Sequence, residues 1–153
     1  MTLWRVCRRR HAADPLSGRG GFEVGGRWHF KGTRVAYTSG TLSLAVLEML
    51  VQVDVELAPE DLVRVEVEIP DDLTIEEFTP ATLPANWQTY PAPPSLALLG
   101  TEWIRRGASA ILRVPSAVIP VENNYLVNPA HGDAARIRVV GTQDLRLDPR
   151  LLR

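Results

Sequence analysis

Glu48 stands in the run Leu44-Ala45-Val46-Leu47-Glu48-Met49-Leu50-Val51, with apolar neighbours on every side. A helix that is apolar all round belongs in an interior. A carboxylate placed there is costly unless it is paired or used. Two readings follow: an ion pair or solvent-reaching side chain, or a catalytic carboxylate in a cleft. Gly25-Gly26-Arg27-Trp28 offers a second group. An arginine between a glycine pair and a large aromatic can approach a ligand closely, and its fork suits phosphate, although a purely structural arginine fits the same residues. Tyr37 closes a short alternating run just before the helix that carries Glu48. It is either a core tyrosine or a ring facing a ligand. Ser116 follows Pro115 and can donate a hydrogen bond to a ligand.

Other chemistries find no residues to carry them. His11, His29 and His131 are scattered, and no HExxH or CxxC spacing exists, so no metal site is expected. No GxSxG elbow surrounds Ser116, which argues against a Ser-His-Asp hydrolase. Gly18-Arg19-Gly20 lacks the third glycine of a dinucleotide fingerprint, and no P-loop is present. Of the 17 basic residues only Lys31 is a lysine, which makes Schiff-base catalysis improbable. Cys7 falls in the first apolar run and reads as core.

These side chains need a scaffold. Leu3–Val6 and Arg34–Thr38 read as short strands around a glycine-rich loop over residues 14–33. Ser39 or Thr41 caps a helix that runs to about Val53. Residues 62–69 alternate apolar with charged, the pattern of a half-buried strand. Residues 79–94 hold five prolines and predict an irregular segment. Ser95–Arg106 predicts a helix stopped by Gly107. Two further strands fall at Ser109–Val114 and Arg136–Val140, with a proline-punctuated loop expected between them. Two helices among about five strands that do not alternate with them predict an α+β fold.

The 153 residues suit one domain spanning the whole chain. The longest apolar run, Leu42–Val53, is too short to cross a bilayer, and no apolar segment follows the N-terminal arginines as a signal peptide requires. With a single cysteine, these features predict a cytoplasmic protein. Net charge is −1 but unevenly spread. Residues 1–40 carry eight basic against two acidic residues, and residues 54–77 carry ten acidic against one basic. Overall neutrality argues against a dedicated nucleic-acid binder, while the basic N-terminal part suits an anion.

The motifs taken together are more specific than any one of them. Leu16-Ser17-Gly18, Gly25-Gly26-Arg27-Trp28, Gly32, Val35-Ala36-Tyr37-Thr38-Ser39 and Ala45-Val46-Leu47-Glu48 resemble the first half of the RES domain, a family named for an arginine, a glutamate and a serine. Trp103, Leu112-Arg113-Val114-Pro115-Ser116-Ala117-Val118-Ile119-Pro120 and Glu122-Asn123-Asn124-Tyr125-Leu126-Val127-Asn128-Pro129 resemble the second half. Two departures, Gln52 and His29, leave the naming residues untouched.

The resemblance implies an ADP-ribosyltransferase-like α+β fold, with mixed and antiparallel sheets and a few helices around an NAD cleft. It implies a bacterial toxin that consumes NAD+ by hydrolysis, phosphorolysis or transfer to a protein, needing no metal and no cofactor beyond NAD+ as substrate. It further implies a small Xre-type antitoxin that blocks the cleft in a hetero-oligomeric complex. Arg27, Tyr37, Glu48 and Ser116 would form the site, with Arg5 and Asn124 as weaker NAD-binding candidates. The chemistry suits these residues. Nicotinamide leaves NAD+ as a neutral molecule and needs no general acid, so one carboxylate suffices where an ordinary glycoside needs two. Glu48 would stabilise the oxocarbenium ion, Arg27 the pyrophosphate, Tyr37 the nicotinamide by stacking, and Ser116 the ribose or amide. The alternatives are a mono-ADP-ribosyltransferase acting on one protein and a catalytically silent binding module.

Overall fold

A computed structural model describes all residues, Met1–Arg153. Seven strands form one sheet: β1 (Thr2–Arg8), β2 (Ala36–Ser39), β3 (Leu62–Glu68), β4 (Ile75–Glu77), β5 (Ile111–Pro115), β6 (Asn123–Val127) and β7 (Arg138–Asp144), in the spatial order β4-β5-β6-β2-β1-β3-β7. Every neighbouring pair is antiparallel except β4–β5. Three helices accompany it: α1 (Arg19–Glu23), α2 (Leu42–Leu50) and α3 (Pro94–Arg106). The architecture is the expected α+β. None of the helices is long and apolar enough to cross a membrane.

Period-two alternation divides the core between the two faces of the sheet. Leu3, Val63, Val65, Val67, Ile111 and Val127 pack on one face. Their sequence neighbours Leu112, Val114 and Leu126 pack on the other, against Trp28, Trp87, Leu96 and Trp103. The alternation read in residues 62–69 is observed in β3, where Val63, Val65 and Val67 are buried and Arg64, Glu66 and Glu68 are half-buried. Helix α3 begins on Pro94 and ends at Gly107, whose φ of 61° is the left-handed conformation that favours glycine at this position. Trp103 is fully buried on α3 and donates its indole N–H to Ser109 Oγ at 2.9 Å.

Four local expectations are corrected. The helix carrying Glu48 ends at Leu50, and only Leu44 and Ala45 on it are buried. It lies on the outside of the sheet over β1 and β2, so an apolar helix here keeps an uncovered side. Beyond it Asp54 caps a separate 3-10 turn, its carboxylate accepting from Glu56 N–H at 3.1 Å. The glycine-rich segment contains α1, entered through Gly18 at φ 70°, where a Cβ would lie 2.6 Å from Val35 N. The supposed loop between the last two strands contains β6, a central strand that pairs with both β2 and β5. The final strand begins at Arg138, because residues 132–136 form a short 3-10 helix.

β1 and β2 meet at a single register pair, Trp4–Ser39. The Arg5 guanidinium fills the gap beyond it and donates to the Tyr37 carbonyl at 2.8 Å. Burial pulls this guanidinium below its usual range, with Cys7 opposing the shift.

Candidate functional site

Glu48 projects from the last turn of α2 and is half-buried. A carboxylate at a helix C-terminus works against the helix dipole, and no basic residue occupies that turn. Two neutral groups compensate: Ser116 Oγ and Asn124 Nδ2 each donate to Glu48 Oε1 at 2.6 Å. Both donors are fixed from behind. Ser116 Oγ accepts from the backbone N–H groups of Val118 and Ile119 at 3.0 and 2.9 Å, so its one proton is left for Glu48. Ser39 Oγ donates to Asn124 Oδ1 at 2.7 Å, which turns the amide N–H₂ of Asn124 toward the carboxylate. Glu48 Oε2 takes no protein partner and is not sealed from solvent.

The register explains the meeting. Ser39 ends β2 opposite Asn124 on β6, and Ser116 follows the end of β5, whose Pro115 lies opposite Asn123. Thr41 caps α2 by accepting from Leu44 N–H at 3.1 Å and itself donates to Glu122 at 3.0 Å, tying the helix start to the β5–β6 connection. Glu48 thus arrives two turns later over the strand ends.

Arg27 approaches from the glycine-rich side. One terminal nitrogen donates to the carbonyls of Trp87 and Thr89 at 2.7 and 3.2 Å. The other guanidinium nitrogens have no protein partner and remain accessible, ready for an anion. Burial lowers the Arg27 pKa, while the charge of Glu48 and the Tyr37 phenol oppose it. Tyr37 lies on β2, half-buried and packed against the core. Its hydroxyl accepts from Trp28 N–H at 3.2 Å and contacts His29 Nδ1 at 2.8 Å. Burial holds this phenol far above its ordinary range, so it stays protonated.

The structure therefore joins Glu48, Ser116 and Asn124 by direct hydrogen bonds and sets Arg27 and Tyr37 beside them. Arg5 touches the group only through the Tyr37 carbonyl. Two participants escaped the sequence reading. Ser39 reads from the sequence as a cap, a role that Thr41 fills, and His29 as an unclustered histidine that departs from the family pattern. No group of three or more His, Cys, Asp or Glu side chains is arranged to hold a metal. A separate groove of about 700 Å³ lies between residues 13–17, Arg34 and residues 129–139 and contains none of the site residues.

Fold and site define a small α+β protein with one braced carboxylate, an adjacent guanidinium held by one nitrogen, and a tyrosine ring. The RES domain profile matches residues 2–149, and the chain belongs to the RES domain family. It is 36% identical over 156 residues to the "Prs ADP-ribosylating toxin" of Sphingobium sp. strain YBL2, covering 99% of this chain and 97% of that protein. It is 38% identical over 156 residues to "Toxin Res" of Pseudomonas putida, covering 99% of both, and 39% identical over 133 residues to "Toxin Res" of Yersinia enterocolitica, covering 86% of both. Its fold matches a chain in the crystal structure of the M. tuberculosis MbcT–MbcA toxin–antitoxin complex, with a TM-score of 0.76 at 18% identity over 99% of this chain and 86% of that one.

Proposed function

We propose that this toxin cleaves the nicotinamide–ribose bond of NAD+. The observation that carries the reading is Glu48: one oxygen is braced by Ser116 and Asn124, and the other faces outward beside Arg27 and Tyr37. A fixed carboxylate aimed at an open position is suited to stabilise positive charge on the ribose as nicotinamide leaves. Arg27 holds the pyrophosphate through its unpartnered nitrogens, and the Tyr37 ring stacks on nicotinamide. Ser116 acts on the ribose or amide by way of Glu48, since its proton is already committed there. Arg5 contributes by holding the Tyr37 strand.

Water or phosphate accepts the ADP-ribose in this reading. Transfer to a protein is the second reading, favoured by the relative named for ADP-ribosylating Prs. Expression without an antitoxin should arrest growth and lower cellular NAD+. Arrest at unchanged NAD+ with a covalently modified host protein, found by mass spectrometry, would replace cleavage with transfer. Phosphate-dependent formation of ADP-ribose 1″-phosphate separates phosphorolysis from hydrolysis.

The toxin's partner is an antitoxin of the Xre type that covers this site. Four apolar residues near site residues in the sequence are exposed: Val51, Leu57, Tyr90 and Val121, at 61%, 77%, 93% and 90%. Val51 and Leu57 follow the Glu48 helix, Tyr90 adjoins the Thr89 carbonyl held by Arg27, and Val121 lies between Ser116 and Asn124. Exposed apolar patches of this kind mark protein interfaces. Asp54, Glu56 and Glu60 flank it, so the fitting surface is apolar with a basic edge. Leu57→Arg should weaken antitoxin capture at least tenfold while leaving NAD+ turnover unchanged. Calorimetry and a turnover assay on the same sample check this, and undiminished capture would move the interface elsewhere.

A further inference from the structure

His29 is a buried, titratable side chain, 3% exposed, that the mechanism above does not use. Its hydrogen bonds fix its tautomer. Nε2 lies 2.9 Å from both the Gly21 and the Val24 carbonyl oxygens, which only accept, so Nε2 carries the proton. In the neutral ring Nδ1 is then an acceptor, and the Tyr37 hydroxyl donates to it at 2.8 Å. The same hydroxyl accepts from Trp28 N–H at 3.2 Å. A phenol with its proton given away and its oxygen engaged has no proton chemistry to offer a substrate. What remains is the ring of a residue that is half-buried, packed on one side against the core.

The surroundings are shaped around this pair. A Cβ on Gly26 would lie 2.9 Å from His29 Cε1 and 3.0 Å from Tyr37 Oη. A Cβ on Gly21 would lie 2.8 Å from Val35 O and 3.2 Å from His29 Nε2. The glycine-rich segment therefore closes directly on His29, and one ring ties that segment to β2 through Tyr37.

We infer that His29 is a positioning residue: it clamps the Tyr37 hydroxyl, fixes the plane of the phenol and so leaves only the ring face to receive the flat, cationic nicotinamide of NAD+. The substrate half of this inference rests on the NAD+-cleaving reading. His29 acts through Tyr37 and touches no substrate itself.

The two arms of the imidazole can be separated. Glutamine at position 29 places an amide N–H near the Nε2 position, keeping the Gly21 and Val24 bonds and losing the acceptor for Tyr37. Asparagine places a carbonyl oxygen near the Nδ1 position, keeping the Tyr37 bond and losing the other arm. His29→Gln should raise KM for NAD+ about tenfold with kcat within roughly twofold, the cost of one loosened hydrogen bond in binding that ground and transition states share. His29→Asn should keep the wild-type KM at a lower melting temperature. In a Tyr37→Phe background His29→Gln should raise KM no further, because the group through which His29 acts is gone. Without substrate, the Tyr37 ring resonances in ¹³C-tyrosine-labelled protein, assigned by their loss in Tyr37→Phe, should move in His29→Gln and stay in His29→Asn. A wild-type KM for His29→Gln, equal damage from both substitutions, or additive losses with Tyr37→Phe would overturn the inference. If the wild-type protein leaves NAD+ intact, the substrate half falls with the reading it rests on, while the tyrosine resonances alone decide the clamp.

Discussion

Glu48→Gln should abolish nicotinamide release while leaving a folded protein. The amide retains an oxygen at the Oε1 position, so it can keep accepting from Ser116 Oγ and Asn124 Nδ2. What it loses is negative charge at the outward oxygen. Losing a single preorganised donor in an active site costs about 10²–10³ in rate, and a whole charge facing an oxocarbenium ion costs at least that. Stability should change by less than about 1 kcal/mol, because the partners of Glu48 are a neutral hydroxyl and a neutral amide, and no buried cation is stranded. Removing the charge also relieves its conflict with the C-terminal end of α2. Had Glu48 been half of a buried ion pair, the same substitution would cost roughly 3–5 kcal/mol. Nicotinamide release and thermal unfolding measured on one preparation separate these cases.

The second large effect is on stability. A Cβ on Gly100 would lie 1.8 Å from the carbonyl oxygen of Trp28 and 2.8 Å from its carbon. Both are backbone atoms that no rotamer change can move aside. Gly100→Ala must push α3 away from Trp28, although alanine is the better helix former by about 1 kcal/mol. Overpacking a tight core costs about 1–3 kcal/mol, more where backbone must shift. We expect a net loss of about 2–3 kcal/mol, a fall of roughly 5–10 °C in Tm for a chain of this size. Turnover should fall as well. Trp28 lies between Arg27 and His29, its N–H holds the Tyr37 hydroxyl, and Phe30 N–H donates to Thr101 on the same helix at 3.0 Å. Urea unfolding followed by tryptophan fluorescence tests this; a neutral Gly100→Ala would show that α3 does not fix the segment that carries Arg27.

The parts of the site that were legible in the sequence are those that break a local rule. Glu48 violates the apolar pattern of its helix, and Arg27 sits among glycines that leave room for close approach. Ser39 breaks no rule, since a serine before a helix reads as a cap. Only the register between β2 and β6 reveals that it orients Asn124 instead. β6 itself was hidden because it opens with Asn123-Asn124 and is bracketed by Pro120 and Pro129. Asn124 gives its amide to Glu48, so the strand's functional end lacks a strand's hydrophobic pattern. The exposure of α2 escapes the sequence for a related reason. Apolar residues all round predict an interior, yet Leu42, Val46, Leu47, Met49 and Leu50 are only half-buried, because α2 packs on β1 and β2 from one side. Tertiary pairing and the place of a helix on a sheet are both invisible to a periodicity count. By contrast, β3, α3 and the Gly107 stop follow from alternation, amphipathicity and a left-handed cap, which are local.

The most direct test of the site's function uses purified toxin and NAD+ labelled in the nicotinamide ring, with wild-type and Glu48→Gln protein side by side. Free nicotinamide should accumulate with the wild type, in step with loss of NAD+, and fall by at least about a hundredfold with Glu48→Gln. Intact NAD+ after prolonged incubation with folded wild-type toxin, with and without phosphate and a host-protein extract, would contradict NAD+ cleavage at this site.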